Sequence, residues 1–364
     1  MKILFFGTYN TKTSPRIQVM IDGLRKHDDT VMECNVPLPI STAERVAILR
    51  QPWKLPILAI KIFKCWVSLI LKAKKFKGCD AVIVGHLGQF DIHLAKILFR
   101  HTTIALDYMV SGSEAAHDRK LNKSWKDKLL IWLDNSALKN ANIIIVDTEE
   151  HRDMLPDKFK EMGVVVYVGA SQSWFDAANK PEAIKQQHKH PLRIIFFGLY
   201  TPLQGTPTIA KALNELRFNS EVTMIGKGQD KIETKQILNN KLLNVKWLDW
   251  VDINELPKVV AANDICLGVF GTGPKALKVV PNKVFQGAAV GCAIITSDTP
   301  PQRRVFGDAA MFVPVGNYKS LAIALNELAK DSSKLINLRL SAYEIAQKQF
   351  NPYKVVEPLL NKLT

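Results

Sequence analysis

Residues 2–9, KILFFGTY, return in nearly the same form as residues 193–200, RIIFFGLY. Each apolar run ends at a glycine, so that Gly7 aligns with Gly198. An apolar strand followed by a glycine turn is a typical opening of a Rossmann-like domain. The repeat therefore predicts two such domains facing one another, and the alternative is a chance match of two common first strands.

Strands and helices alternate after each opening. The predicted strands are Lys2–Phe6, Thr30–Asn35, Ala81–Val84, Thr103–Leu106, Ile143–Val146, Val164–Val168, Glu221–Ile225, Asn244–Leu248 and Asp264–Val269. Helical periodicity is present at Pro15–Lys26, between the first two strands. This alternation predicts an α/β fold in which each domain is built on a parallel sheet.

A chain of 364 residues is longer than a single core usually supports. The alternation lapses into polar, Lys- and Gln-rich sequence before the second opening. We therefore predict an N-terminal domain at residues 1–172, a linker at 173–190 and a C-terminal domain at 191–351. The C-terminal helix, 352–364, is expected to pack back on the first domain.

The stretch Leu267–Asp298 contains a strand, a Gly- and Lys-containing loop, a short helix of small residues and a second strand. In such a βαβ unit, the loop and the helix N-terminus direct backbone N–H groups and a positive dipole at one spot, which suits an anion. Asn282 is predicted to cap the helix. The surrounding cations are Lys275, Lys278 and Lys283. The alternative is an ordinary crossover whose lysines are only solvated.

The formal net charge of +15 indicates an acidic partner, which could be nucleic acid, an anionic membrane or a phosphorylated small molecule. The excess is +7 over residues 1–170 and +8 over the remainder. Because the charge is spread over both halves without a nucleic-acid-binding motif, we predict no nucleic-acid partner.

The segment 45–77 holds nine basic residues and neither Asp nor Glu, interleaved with tryptophans and aliphatic side chains. Such a composition is typical of a helix that lies in the interface of an anionic membrane. The alternative is a core-packing helix with a solvated cationic edge. The residues predicted to contact the membrane or an acceptor bound there are Lys61, Lys64, Trp66 and Lys72.

The start, MKILFFGTYN, is predicted to be a first strand and not a signal peptide. The sequence contains no uninterrupted apolar run of about 18 residues, so we predict no membrane span. The five cysteines show no metal-ligand spacing, which favours buried, reduced thiols in the cytoplasm. We therefore expect a cytoplasmic protein, associated peripherally with the inner face of the membrane.

Seven motifs occur in a fixed order along the chain: GHLGQFD (85–91), LD (106–107), DRK (118–120), DTEEH (147–151), VGA (168–170), FGLYTPLQG (197–205) and PNKVFQGAAVG (281–291). With the two Rossmann-like halves and the basic segment, this set resembles the GT-B glycosyltransferases. It is most similar to the retaining family 4, glycosyl transferases group 1, of bacterial cell-surface sugar transferases. The resemblance covers essentially the whole chain.

The resemblance implies transfer of a sugar from a nucleotide-sugar, held by the second domain, to a lipid-linked or polysaccharide acceptor held by the first. The donor phosphate leaves, so the main catalytic task is to stabilise its negative charge. No cofactor or metal is expected. The resemblance and the glycine and lysine turns assign donor binding to Gly7, Gly198, Gln204, Gly205, Gly226, Lys227, Lys275, Lys278, Asn282, Lys283 and Gln286.

On the acceptor side, His86 and Asp107 are the candidate catalytic residues. His86 could equally cap a helix or position the substrate, and Asp107 could equally cap the next helix. Asp91 is expected to cap the helix that follows it. Acceptor contacts are predicted at Gln89, Asp118, Arg119 and Lys120, the last three with a solvated loop as the alternative.

Two departures from the family pattern affect the donor site. Many members carry a Glu-x7-Glu pair where this chain has Lys278 and Gln286. The family often has Arg and Lys where this chain has Leu199 and Gln204. The alternative function is therefore a catalytically silent GT-B module that binds a nucleotide or a partner protein.

Overall fold

The computed structural model describes residues 1–11, 14–40, 44, 53, 55–85, 88–109, 125–185 and 191–364, with the side chains of 125–127 left aside. These residues form two compact units. The first unit contains Met1–Tyr167 and Val356–Thr364, and the second contains Val168–Val355.

The first unit is a six-stranded parallel sheet in the order β2-β1-β3-β4-β5-β6. Its strands are β1 Lys2–Gly7, β2 Thr30–Asn35, β3 Ala81–Val84, β4 Thr103–Asp107, β5 Ile143–Val146 and β6 Gly163–Val165. Every residue of β3 and β5 is buried, as expected for central strands with helices on both faces. The predicted strand Val164–Val168 was wrong in its extent, because only Gly163–Val165 pairs with β5 before the chain leaves the sheet.

Helices follow the strands of the first unit. They are α1 Pro15–Lys26, α2 Leu55–Ala73, α3 Asp91–Leu98, α4 Trp125–Asn140, α5 Glu149–Asp153 and α6 Asp157–Lys160. Residues of α2, α3 and α4 share one hydrophobic cluster with one face of the sheet. These three helices therefore cover the same side of the unit and leave their outer faces to solvent.

The second unit has a parallel sheet in the order β12-β11-β10-β7-β8-β9, which is the doubly wound Rossmann order. Its strands are β7 Leu192–Phe197, β8 Ser220–Ile225, β9 Leu243–Leu248, β10 Ile265–Leu267, β11 Ala293–Ser297 and β12 Met311–Val313. The sequence interpretation missed β12, a three-residue edge strand next to a proline.

The helices of the second unit are α7 Gln172–Asp176, α8 Pro181–Lys185, α9 Thr206–Asn214, α10 Lys231–Ile237, α11 Leu256–Ala261, α12 Asn282–Ala289, α13 Pro300–Phe306, α14 Tyr318–Lys330, α15 Ser332–Ile345 and α16 Pro352–Val355. A π-helical turn at Ala346–Phe350 follows α15. The long α14 buries one apolar stripe, Leu321, Leu325 and Leu328, against the sheet.

The segment predicted as a linker, 173–190, departs from that prediction over its described part. Trp174 of α7 is buried and stacks on Phe197, with ring centroids 5.8 Å apart. Ile184 of α8 is fully buried. These residues belong to the core of the second unit, because their apolar side chains contact it.

The chain ends in α17 Glu357–Leu363, which belongs to the first unit. The Lys362 ammonium donates to the carbonyl oxygen of Glu161, beside β6, at 2.9 Å. Across the described ranges, no helix combines the length and apolar character that a bilayer span requires.

Candidate donor site

The carboxyl ends of β7, β8 and β9 form an even row in the second unit. Phe197, Ile225 and Leu248 are register partners. One residue further on, Gly198 N donates to Ile225 O at 3.1 Å, and Gly226 N donates to Leu248 O at 2.8 Å. Ligands of doubly wound folds bind outside this end of the sheet.

Glycine is required at the middle of this row. Gly226 has a φ of +134°, and a Cβ there would lie 1.8 Å from the carbonyl oxygen of Gly198. The backbone of the two turns is therefore in direct contact. No side chain fits at position 226.

Helix α12 begins at Asn282, and Pro281 occupies its N-cap position. The prediction that Asn282 caps the helix was therefore wrong, since Asn282 is already the first helical residue. No side chain makes a capping hydrogen bond at this terminus. The first N–H groups of an α-helix have no intrahelical partner, so this helix end suits an anion.

Lys283 connects that helix to the turn after β7. Its side chain is 5% exposed, and its ammonium donates to Gln204 Oε1 at 2.5 Å. The ammonium also lies 3.7 Å from the centre of the Phe196 ring, a cation–π contact. An added Cβ on Gly198 would lie 3.2 Å from Lys283 Nζ. The structure thus brings together Gly198, Gln204 and Lys283, which the sequence predicted as donor residues.

Burial lowers the pKa of Lys283 to about 7, because the apolar surroundings disfavour the charged ammonium. A negatively charged ligand in contact with Nζ would reverse this effect. The charge of Lys283 is therefore sensitive to any anion that approaches Nζ.

Gly205 fixes the position of Gln204. Its φ is +64°, and an added Cβ would lie 2.4 Å from the backbone carbon of Phe270. In addition, Phe270 N donates to Gln204 O at 3.1 Å. The turn after β7 is therefore held against the loop after β10, with the Gln204 amide at the Lys283 ammonium.

The remaining predicted donor residues have different surroundings. Lys275 and Lys278 are half-buried in the turn before α12, where Lys278 N donates to Lys275 O at 3.2 Å. Gln286 is buried within α12. Lys227 is exposed, and its ammonium lies 3.6 Å from the Asp249 carboxylate.

Sequence reasoning missed Asp249 and Trp250, which follow β9, and Lys231 of α10, which bonds to Asp249. Lys231 donates to Gly226 O and to Asp249 Oδ1, both at 2.6 Å. Trp250 follows Asp249 and is among the most exposed apolar side chains of the described chain. An Asp-Trp pair directly after an apolar strand was the available signal, because strand ends of parallel sheets carry ligand-binding residues.

The matching turn of the first unit has an acidic neighbour. Asp91 Oδ2 accepts from the backbone N–H and the hydroxyl of Thr8, each at 2.7 Å. Trp66 Nε1 donates to Asp91 Oδ1 at 2.9 Å. A Cβ on Gly7, whose φ is +135°, would lie 2.9 Å from Asp91 Oδ2.

These contacts correct two predictions. Asp91 does not cap α3, because it is the first helical residue and its carboxylate bonds to Thr8 and Trp66. The half-buried Trp66 directs its indole N–H inward, so its polar atom serves the turn and not a membrane or an acceptor. Burial raises the pKa of Asp91, while the bonds from Trp66 and Thr8 oppose that rise.

Asp107 lies inside the first unit. Its carboxylate is buried beside Arg16, with Arg16 Nε 3.3 Å from Oδ1. Arg16 Nη2 also donates to Val146 O at 3.1 Å. Burial raises the pKa of Asp107 to about 6, against the opposing effect of Arg16. Asp107 thus forms an internal ion pair across the first unit and makes no capping bond in the described residues.

The remaining residues predicted on the acceptor side are either buried or outside the described part of the chain. Gln89 is buried. His86, Asp118, Arg119 and Lys120 lie outside the described residues. Within the described part of the chain, no group of three His, Cys, Asp or Glu side chains is placed to hold a metal ion.

A cavity of about 230 Å³ lies in the first unit between α4 and α5. Its polar lining includes Tyr108, Asp134, Asn135 and His151. His151 Nδ1 is 2.5 Å from Asp147 Oδ1, which fixes the imidazole. The DTEEH motif contained both members of this pair, but the sequence did not reveal the cavity, whose walls come from separate elements.

Comparisons with known proteins agree with this architecture. Residues 191–331 match the family model Glycosyl transferases group 1. The match lies within the second unit and spans the predicted donor residues from Gly198 to Gln286. A comparison with curated protein sequences gives no match.

Several solved structures share the fold over the full chain. HepE from Anabaena, in complex with UDP and glucose, is similar at a TM-score of 0.70 and 16% identity, covering 100% of this chain and 99% of HepE. Sucrose-phosphate synthase from Thermosynechococcus elongatus has a TM-score of 0.70 and 13% identity, covering 99% and 98%. A glycosyltransferase from Rickettsia africae has a TM-score of 0.65 and 13% identity, covering 100% and 97%.

The two parallel six-stranded units, their likeness to these structures and the family match over the second unit confirm the predicted resemblance. The chain thus has the GT-B fold, and residues 191–331 of its second unit match the glycosyl transferases group 1 family.

Proposed function

We propose that the chain transfers a sugar from a nucleotide-sugar whose diphosphate lies against Lys283 and the N-terminus of α12. The observation that carries this proposal is the buried ammonium of Lys283 at 2.5 Å from Gln204 Oε1. A buried cation whose strongest partner is a neutral amide is costly without an anion. A diphosphate would supply that anion.

This placement accounts for one departure from the family pattern. The family often has a lysine at the position of Gln204. Here the cation is Lys283 of α12, whose ammonium contacts the Gln204 side chain. The positive charge is retained although the residue at 204 is neutral.

In the proposed reaction, the bond between the sugar's anomeric carbon and the diphosphate oxygen breaks. The oxygen of an acceptor hydroxyl forms a new bond to that carbon, and its proton passes to the leaving diphosphate. Lys283 and the α12 N–H groups stabilise the negative charge on the leaving diphosphate. Retention of configuration is part of the proposal through the family resemblance. UDP-glucose, which is bound in one of the HepE structures, is one candidate donor.

For the acceptor, we propose a lipid-linked or polysaccharide chain that presents a hydroxyl group to the first unit. The cavity beside His151 suits such a group, because carboxylate, amide and imidazole side chains exchange hydrogen bonds with hydroxyls. His151→Gln should raise the acceptor KM and leave the donor KM unchanged. A variant that alters both equally would contradict the assignment of this cavity.

The proposed partner surface is an anionic membrane at the cytoplasmic face. Helix α2 contains no acidic residue. Its outward apolar side chains include Ile60, Phe63 and Leu71, which are 57%, 66% and 63% exposed. Exposed apolar residues beside lysines suit insertion at a lipid headgroup boundary.

The lysines of this helix divide into two groups. Lys61 lies 3.7 Å from Glu44, and Lys72 donates to Asn35 O at 3.3 Å. Lys64 is exposed on the apolar face. We therefore assign lipid contact to Lys64 first, together with Lys74 and Lys75 just beyond the helix.

Binding to vesicles tests this surface. The wild type should bind phosphatidylglycerol vesicles and ignore phosphatidylcholine vesicles. Replacing Ile60, Phe63 and Leu71 by Ser should abolish binding, and each of Lys64→Gln and Lys75→Gln should weaken it about five-fold. Ile323→Ser, at an exposed position of the second unit, is the matched control. Unchanged binding of the triple variant would refute the membrane surface.

The donor assignment is tested by thermal unfolding against UDP-, GDP-, dTDP-, ADP- and CMP-linked sugars. A ligand at about 100 times its Kd should stabilise the native state by about 2.7 kcal/mol. We expect one nucleotide class to stabilise the wild type and not Lys283→Ala. Lys319→Ala, a lysine at the start of α14, is the control. Stabilisation of wild type and Lys283→Ala alike would contradict the site.

Turnover of the nucleotide-sugar distinguishes the proposed enzyme from a catalytically silent module. Transfer to water or to an added acceptor should release nucleoside diphosphate, and release should fall with Lys283→Ala. Nucleotide binding without any release would favour the silent module.

A further inference from the structure

The exposed indole of Trp250 stands at the same end of the second sheet as the proposed diphosphate site. We propose that Trp250 stacks on the nucleobase of the donor, an inference that rests on the proposed donor site. Trp250 is 75% exposed, directly after the end of β9. A large apolar ring held in water is costly, and covering it with a planar base would recover that cost.

The separation between the two sites follows from the strand register. Gly198, Gly226 and Asp249 are the first residues after the paired ends of β7, β8 and β9. Neighbouring strands lie ~4.8 Å apart, so Gly198 and Asp249 are separated by roughly 10 Å. Lys283 adjoins Gly198, and Trp250 follows Asp249. A nucleotide has about this reach from its phosphates to its base.

The turn between the two points contains two residues without side chains. Gly226 and Gly228, with φ of +134° and +152°, occupy the turn after β8, and neither has a side chain. An added Cβ on Gly228 would lie 2.2 Å from Tyr200 O, so this turn lies flat against the one after β7. A ribose can therefore lie over the glycine turn.

The strand end that carries Trp250 is fixed. Lys231 bonds both to Gly226 O and to Asp249 Oδ1, which joins the ends of β8 and β9. Lys227 adds a second cation, 3.6 Å from Asp249. The Asp249 charge is thus balanced, and it does not oppose an anionic ligand nearby.

Stacking recognises the π-face that every base presents, so Trp250 would contribute affinity without selecting one base. The loss should therefore be similar for each nucleotide that the wild type binds. This separates a stacking role from hydrogen-bonded base recognition.

The test compares UDP, GDP, ADP and inorganic pyrophosphate by calorimetry, with quenching of tryptophan fluorescence as a second readout. Trp250→Ala should weaken the nucleoside diphosphate that the wild type binds by about 5- to 150-fold. It should leave pyrophosphate affinity unchanged and remove most of the quenching. Trp250→Phe should keep most of the affinity, because phenylalanine also stacks. Ile323→Ala, which removes another highly exposed apolar side chain, from α14, should change nothing.

Equal nucleotide affinity in wild type and Trp250→Ala would overturn the inference and leave the donor site standing. An equal loss of pyrophosphate affinity would also overturn it, since the residue would then support the site only structurally. If the wild type binds none of the nucleotides, both the inference and the proposed function fail.

Discussion

The turns after β1 and β7 have almost the same sequence, yet their glycines face opposite charges. Gly7 lies against the carboxylate of Asp91, whereas Gly198 lies against the ammonium of Lys283. An approaching phosphate is repelled at the first turn and attracted at the second. The repeat therefore encodes a shared backbone, and the residue that packs on each glycine decides what can bind there.

This contrast argues against one predicted donor contact. Gly7 was expected to admit the donor from the first domain. With Asp91 held by Thr8 and Trp66, the space above Gly7 is filled by a carboxylate that serves the fold. We therefore expect the donor diphosphate to depend on the second turn.

The largest expected effect concerns the cost of the buried ammonium. Burial lowers the pKa of Lys283 from 10.5 to about 7. Between these values the unfolded chain binds more protons, so Lys283 makes the free energy of unfolding rise with pH across this window. Relative to Lys283→Met, the wild type should gain about 3.5 kcal/mol between pH 7 and pH 10. Denaturant unfolding of both proteins measures the difference, and a pH-independent difference would contradict the buried charge.

The next effect lies at the first turn. Asp91→Ala removes the acceptor of Thr8 and Trp66 and leaves their partly buried donors unpaired, at a cost of about 3 kcal/mol. Denaturant unfolding should show this loss, while donor affinity stays at the wild-type value. Asp91→Asn, which keeps one acceptor oxygen, should lose less. A variant of normal stability with impaired donor binding would reverse the assignment of the two turns.

The smallest expected effect is a difference in donor affinity between alanine substitutions at Gly7 and Gly198. Gly7→Ala and Gly198→Ala should each cost about 1 to 2 kcal/mol of stability, because both have positive φ. Only Gly198→Ala should also weaken donor binding, by several-fold, since its methyl group would press on Lys283 Nζ. Calorimetric titration of both variants makes the comparison. Equal losses of donor affinity would show that the first turn also contacts the donor.

Much of the fold was predictable because buried parallel strands are short apolar runs with clear ends. Ala81–Val84 and Ile143–Val146 have the predicted bounds. Of the edge strands, Thr30–Asn35 also has its predicted bounds, but β6 and β12 were less predictable. The extent of β6 and the presence of β12 depend on which neighbour remains available for pairing, and that is a property of the whole sheet.

The candidate site was predictable at the level of residue type but not of contact. Lys283 and Gln204 were both assigned to the donor, yet they are 79 positions apart and their hydrogen bond depends on the packing of α12 against β10 and β11. The Asp91 contacts with Thr8 and Trp66 are also long-range. A capping role was the local expectation for such an Asp, and tertiary packing overrode it.

The most direct test of the Lys283 assignment is the number of protons taken up when the donor binds. The measurement is calorimetry at pH 8, in buffers of different ionisation heat, with the nucleotide-sugar that stabilises the chain most. Burial lowers the pKa of Lys283 to about 7, so its amino group is mostly neutral at pH 8. It must therefore gain a proton to meet the diphosphate as a cation. The account predicts uptake of about one proton by the wild type and almost none by Lys283→Arg, which is always charged. Tight donor binding without proton uptake, or equal uptake in both proteins, would contradict it.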